Sequence, residues 1–105
     1  MPPPSPSTPV RPDLLARLPK TDLHFHMAGT LRPATLVALA HQYELPLPRP
    51  VDTLYSYRDF YDFIDVLRIA AQAVRSSADF ERVAYEAVED AARSSNARHV
   101  ELSFN

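Results

Sequence analysis

The sequence contains no cysteine. That excludes disulfides, thiolate metal ligands and a cysteine nucleophile together, and leaves histidine and carboxylate as the side chains able to hold a transition metal. A large excess of either charge is also lacking: the formal net charge is −2, and the arginines form no run. There is accordingly no basic patch of the kind that binds nucleic acid. No apolar stretch approaches the ~20 residues of a membrane span, and the N-terminus lacks the apolar centre of a signal peptide, so no membrane partner is expected and the cytoplasm is the expected compartment. Glycine occurs once, as Gly29. What is present is 105 residues that are 46% hydrophobic, enough for one small domain with a modest core.

The first twelve residues, "MPPPSPSTPVRP", form a Pro/Ser-rich segment with nothing to bury, and residues 1–12 are read as a disordered tail outside the fold. Asp13 is placed to N-cap a short turn carrying Leu14, Leu15 and Leu18, which Pro19 stops. "KTDLHFH" follows as a strand, and "TLRPATLVALAHQYEL" as a helix with Pro33 in its first turn and Leu36, Leu39, Ala40 and Tyr43 on one face. After the loop "PLPRP", Phe60, Phe63, Ile64, Leu67, Ala71 and Val74 predict one amphipathic helix, and Phe80, Val83, Ala84, Ala87, Val88 and Ala91 predict another. Ser76 or Ser77 is the expected N-cap of the latter, with Asp79 and Glu81 in its first turn. "RHVELSFN" alternates with the two-residue period of a strand.

Strand, three helices and strand imply a parallel pair joined by a right-handed crossover. Two strands do not make an independently stable sheet, and the second runs out at Asn105 with nothing after it. The expected class is therefore α/β, with residues 13–105 as the front third of a (β/α)8 TIM-type barrel, incomplete as given.

On that frame "TDLHFHMAGTLRP" carries the chemistry. Residues two apart in a strand point the same way, so Asp22, His24 and His26 are expected on one side, and Leu23 and Phe25 toward the helices. The polar set then faces the barrel interior at the strand's C-terminal end, where barrel enzymes keep their active sites. Two imidazoles about 7 Å apart along a backbone that rises ~3.3 Å per residue are able to converge on one ion. A strand histidine is more commonly a hydrogen-bonded packing residue; the preceding acid, the strand setting and the turn at Gly29 favour the metal pair. His41, late in a helix, reads as a solvated helix-end residue, and His99, at the start of the second strand, as noncatalytic. Glu101 shares a side with His99, where a structural hydrogen bond is the expected role.

"LPKTDLHFHMAGTLRPATLVALA" resembles the opening of the adenosine deaminase family, and the likeness continues through "SYRDFYDFIDVL" and "DFERVAYEAVEDAARSSNARHVEL", covering residues 18–105. The resemblance implies a (β/α)8 barrel with one zinc ion per active site, which activates water to attack C6 of a purine and release ammonia. It makes His24 and His26 the first two zinc ligands and sets His26 against the ribose end of the substrate. A third histidine, an aspartate, and the proton-transfer glutamate and histidine belong to later strands, so no catalytic residue is expected within this chain, and the chain alone is expected to be inactive. Where the family has an acid that reads the ribose 5′-hydroxyl, this sequence has Ala28. Phe60, with Ile64 or Phe63, falls where the family lays an apolar helix over the purine, although the spacing fits helix core equally well. The implied partner is a small purine nucleoside or base; nothing in the pattern speaks to oligomeric state. Two other readings remain: a noncatalytic truncated segment that associates through an open barrel edge, and a different His-x-His metal-dependent hydrolase, whose motif usually leads into a Ser-Asp-Gly-like turn rather than "GTLRP".

Overall fold

The computed structural model describes residues 9 and 11–104. Of the proline-rich segment, residues 1–8 and 10 lie outside the described residues, as does Asn105.

Order begins one residue earlier than the sequence suggests. Helix α1 spans Pro12–Arg17, with proline at its first position and Arg11 as the extended N-cap residue. Asp13 is inside the first turn, where its carboxylate accepts from the Arg11 guanidinium at 2.6 Å instead of capping the backbone. No residue of α1 is buried.

Strands β1 (Lys20–His26) and β2 (Ala97–Ser103) pair in parallel, with Phe25 opposite Leu102 and His26 opposite Ser103. Between them run α2 (Pro33–Gln42), α3 (Phe60–Ala73) and α4 (Ser77–Ser95). The architecture is thus α/β, two parallel strands separated by helices. The register slips between Lys20 and Thr21 and again between Asp22 and Phe25. At the second slip β1 advances three residues while β2 advances two, from Val100 to Leu102, so β1 carries one extra residue at the histidine stretch.

The helix ends follow local chemistry. Pro33 opens α2 at a position whose N–H has no intrahelical partner, and Asp59 caps α3 by accepting from the Asp62 N–H at 3.0 Å. Ser76 caps α4 in a reciprocal capping box with Asp79, as one of the two expected serines, while Glu81 falls beyond the first turn. Asn96 ends α4 with a left-handed backbone, φ 52°, a conformation asparagine adopts more readily than most residues, and its side chain donates to the Arg17 carbonyl at 2.8 Å.

The core lies among the helices and not beneath the sheet. Leu36, Leu39, Leu54, Val66, Ala73 and Val83 form its centre, with Met27 and Leu31 entering from the segment after β1. Burying each large one contributes ~1.5–3 kcal/mol. Polar clamps surround this core. Arg32, the residue before α2, makes a two-pronged contact with Asp90 (2.8 and 2.9 Å) and bonds Glu89 at 2.9 Å, and Thr35 donates to Glu86 at 2.6 Å, tying α2 to α4. The Tyr43 hydroxyl donates to Asp79.

Helix α3 corrects the expected apolar stripe. Asp62, Val66, Ala70 and Ala73 are buried, whereas Phe60 and Phe63 are exposed. The helix is apolar on two sides, and packing against α2 selects the narrower one. Asp62 enters that side because Arg58 and Arg49 neutralise it, at 2.9 and 3.5 Å. In α4, Val83 and Ala87 are buried as expected, but Phe80 and Val88 stay exposed. No described helix is long and apolar enough to cross a membrane.

Candidate metal and substrate site

The extra residue in β1 decides which side chains share the site. His24 and His26 stay together: their Nε2 atoms are 2.7 Å apart and the rings meet edge-on, with centroids at 4.4 Å and planes at 84°. At that distance one Nε2–H donates to the other ring's lone pair. Asp22 does not join them. It pairs with Val100, lines a cleft against α4 together with Phe25, and its carboxylate accepts from the His24 backbone N–H at 3.1 Å. Leu23, expected among the helices, is 64% exposed. The strict two-residue alternation thus holds from His24 to His26 and fails at the bulge before it.

After His26 the chain makes a tight 3₁₀ turn over Met27–Gly29. Thr30 closes it twice on the Met27 carbonyl, through its N–H at 3.0 Å and its hydroxyl at 2.7 Å. Gly29 is not what the turn depends on: its φ is not positive, and a Cβ there would meet nothing within 4 Å. The next segment is anchored from below, where the Tyr55 hydroxyl donates to the Leu31 carbonyl at 2.5 Å. Burial pushes the Tyr55 phenol up to about 12, so it remains a donor at any physiological pH.

A cavity of about 410 Å³ opens beside the histidine pair. His26, Met27 and Ala28 form one wall; Leu67, Ala70 and Ala71 of α3, with Val74 just after it, form another. Ser103 and Phe104, at the end of β2, complete it with Phe80 of α4, whose ring meets that of Phe104 at 6.1 Å. Ala28 lies on the first wall, next to His26. Phe60 is 67% exposed at the start of α3, in contact with Tyr61 and Phe63 and outside this cavity. Among the lining residues that sequence reasoning missed are Phe80, Ser103 and Phe104. The signal for the last two was available, since a strand parallel to β1 delivers its C-terminal residues to the same end as His26.

His41 is exposed in the last turn of α2, and His99 lies 3.4 Å from Glu101, both exposed. Among the described residues, no third His, Asp or Glu gathers with His24 and His26 into a metal-sized cluster. The pair itself fits a zinc ion. Two ligands ~2.0–2.1 Å from a tetrahedral zinc stand about 3.3 Å from each other, so rings already in contact need only part slightly. Both are neutral-capable nitrogen donors, both are solvent-accessible, and neither Nε2 has another protein partner among the described residues.

The profile of the adenosine deaminase family matches residues 19–105. The chain belongs to the adenosine deaminase family. It is similar to a protein of Rhodospirillum rubrum named an adenine deaminase, 35% identical over 100 residues, covering 91% of this chain and 30% of that protein. A Shigella flexneri protein named an adenosine deaminase is 36% identical over 96 residues, covering 84% of this chain and 28% of its own length. A Chlorobium phaeobacteroides adenine deaminase is 33% identical over 92 residues, with 84% and 27% covered. The chain thus spans less than a third of the length of these adenosine deaminase family relatives.

Proposed function

We propose that this chain forms the first part of a (β/α)8 barrel that hydrolytically deaminates a 6-aminopurine, adenosine or adenine, and that His24 and His26 are two of the ligands of its zinc ion. The observation that carries the reading is the convergence of the two Nε2 atoms at 2.7 Å, at the C-terminal end of a parallel strand, in a member of this family.

Zinc, when bound, supplies a water of lowered pKa as the nucleophile at neutral pH. The residues of this chain do the rest of what concerns the site's opening third. His24 and His26 would hold the ion beside the cavity, His26 also forming part of its wall. The Met27–Gly29 turn, locked by Thr30, carries the chain away from the metal and leaves Ala28 against the substrate space. Leu67, Ala71 and Val74 give the purine or its substituent an apolar surface that displaces water. The relatives carry both adenine and adenosine names, and the aminopurine is what those two substrates share.

The test uses the complete protein that contains this chain. His24→Ala and His26→Ala are each expected to lose bound zinc by elemental analysis and to lose ammonia release from adenosine and adenine. Full zinc occupancy in both variants would overturn the assignment.

A further inference from the structure

The backbone of His24 makes a contact that the parallel ladder does not supply. Its N–H donates to the Asp22 carboxylate at 3.1 Å, closing a short ring across Leu23. The contact falls where β1 carries its extra residue: the register passes from Asp22 opposite Val100 to Phe25 opposite Leu102 and gives Leu23 and His24 no counterpart. Backbone groups at such a bulge lose their ladder partners, and an aspartate two residues back is one of the few side chains short enough to take over an N–H.

The apolar pattern by itself favours a different arrangement. A regular ladder counted back from Phe25 sets Leu23 opposite Val100, turned toward α4, and Asp22 opposite His99, on the side of the imidazoles. In the structure the two have traded places: Asp22 lines the cleft against α4 with Phe25 and Ala91, and Leu23 is 64% exposed. Putting an apolar side chain in water and a carboxylate against a helix runs against burial, so the bulge needs a bond that the regular strand lacks. The bond to the His24 N–H is of that kind.

Resting on the zinc reading above, we infer that Asp22 is a positioning residue of the metal pair, whose carboxylate fixes the His24 backbone at the bulge and thereby the approach of the His24 ring to that of His26. It acts as an acceptor for the main chain and not as a ligand: among the described residues no acid gathers with the two imidazoles. The two Nε2 atoms stand 2.7 Å apart, at the far end of each ring from the backbone. A change of backbone angle at His24 is therefore magnified at the atom that would meet the ion. Groups that hold ligands in place without touching the metal typically contribute 10- to 100-fold to its affinity.

The experiment uses the complete protein that contains this chain, and measures zinc affinity by chelator competition and deuterium exchange of the His24 amide in the zinc-free state. Asp22→Ala removes the acceptor, and is expected to weaken zinc binding roughly tenfold or more and to speed exchange of the His24 amide. Asp22→Asn keeps an acceptor oxygen at the same reach without the charge, and is expected to recover most of both. Zinc held as tightly in Asp22→Ala as in the parent would overturn the inference. So would Asp22→Asn as weak as Asp22→Ala, which would make the charge, and not the bond, the operative feature. If Asp22→Ala does not fold, Asp22→Asn decides by the same two measurements: parent-like affinity with a slow His24 amide supports the inference, and loss of either overturns it. Full zinc occupancy in His24→Ala is a separate failure, which removes the metal pair itself and Asp22's role with it.

Discussion

Asp79 shows how much one buried carboxylate is asked to do. It accepts from the backbone N–H groups of Ser76 and Arg75 at 3.0 and 3.1 Å and from the Tyr43 hydroxyl, which joins the start of α4 to the end of α2. The Ser76 N–H, and after it the Tyr43 hydroxyl, bring its pKa down to about 2 against the opposing effect of burial. The unfolded chain titrates this group near ~3.9, so its contribution is complete above that value and is lost as pH falls through about 2. Asp62, held to about 2 chiefly by the Arg58 guanidinium, loses its contribution in the same window. Urea midpoints are expected to fall between about pH 5 and about pH 2.5, and Asp79→Asn to flatten part of that fall; an unchanged slope in Asp79→Asn would show that other carboxylates govern it. Residues of this kind mark what was legible at the smallest scale. The His24 and His26 pairing follows from strand parity alone, and so does the neighbourhood of Ala28. The departure of Asp22 and Leu23 does not, because one inserted residue in a ladder is decided by the partner strand, which parity arguments within β1 do not contain.

At the scale of elements, periodicity located α2, α3, α4 and both strands but did not always say which face would turn inward. Helix α4 has one apolar stripe and buries its centre. Helix α3 has two, Val66 and Ala73 on one and Leu67 and Ala71 on the other, with Ala70 buried and also lining the cavity, and the choice between them is made by packing against α2, far away in sequence. The stripe expected to be core is thus partly the wall of the cavity, while Phe60 and Phe63 remain at the surface. Ends were more legible than faces, because caps are local chemistry. Ser76→Ala removes an acceptor for the Asp79 N–H at 3.1 Å and dismantles the reciprocal box, and is expected to destabilise the protein by ~1 kcal/mol. Thermal melts of the variant and the parent measure it; equal midpoints would mean that Tyr43 and Asp79 secure this helix end without the serine.

At the scale of the whole molecule, the barrel expectation came from what two strands cannot do alone, and the described strands do leave their outer edges and much of both faces uncovered. What composition and periodicity did not reveal is where the core would settle. It gathers around Leu36, Leu39, Leu54 and Val83, among the helices and beyond the end of the strands, with Met27 as its link to the site. Anchoring is therefore unequal along the chain. In this chain without metal, backbone amides of β1 are expected to exchange with deuterium well before those in the middle of α2 and α4, since local opening takes the least-packed unit first. Equal protection across the three would contradict the position of the core. Added zinc, drawing His24 and His26 onto one point, should slow Phe25 and His26 selectively. The histidine strand is the slack end of this fold in packing, and a bound ion would register there as a lengthened amide lifetime before any product was counted.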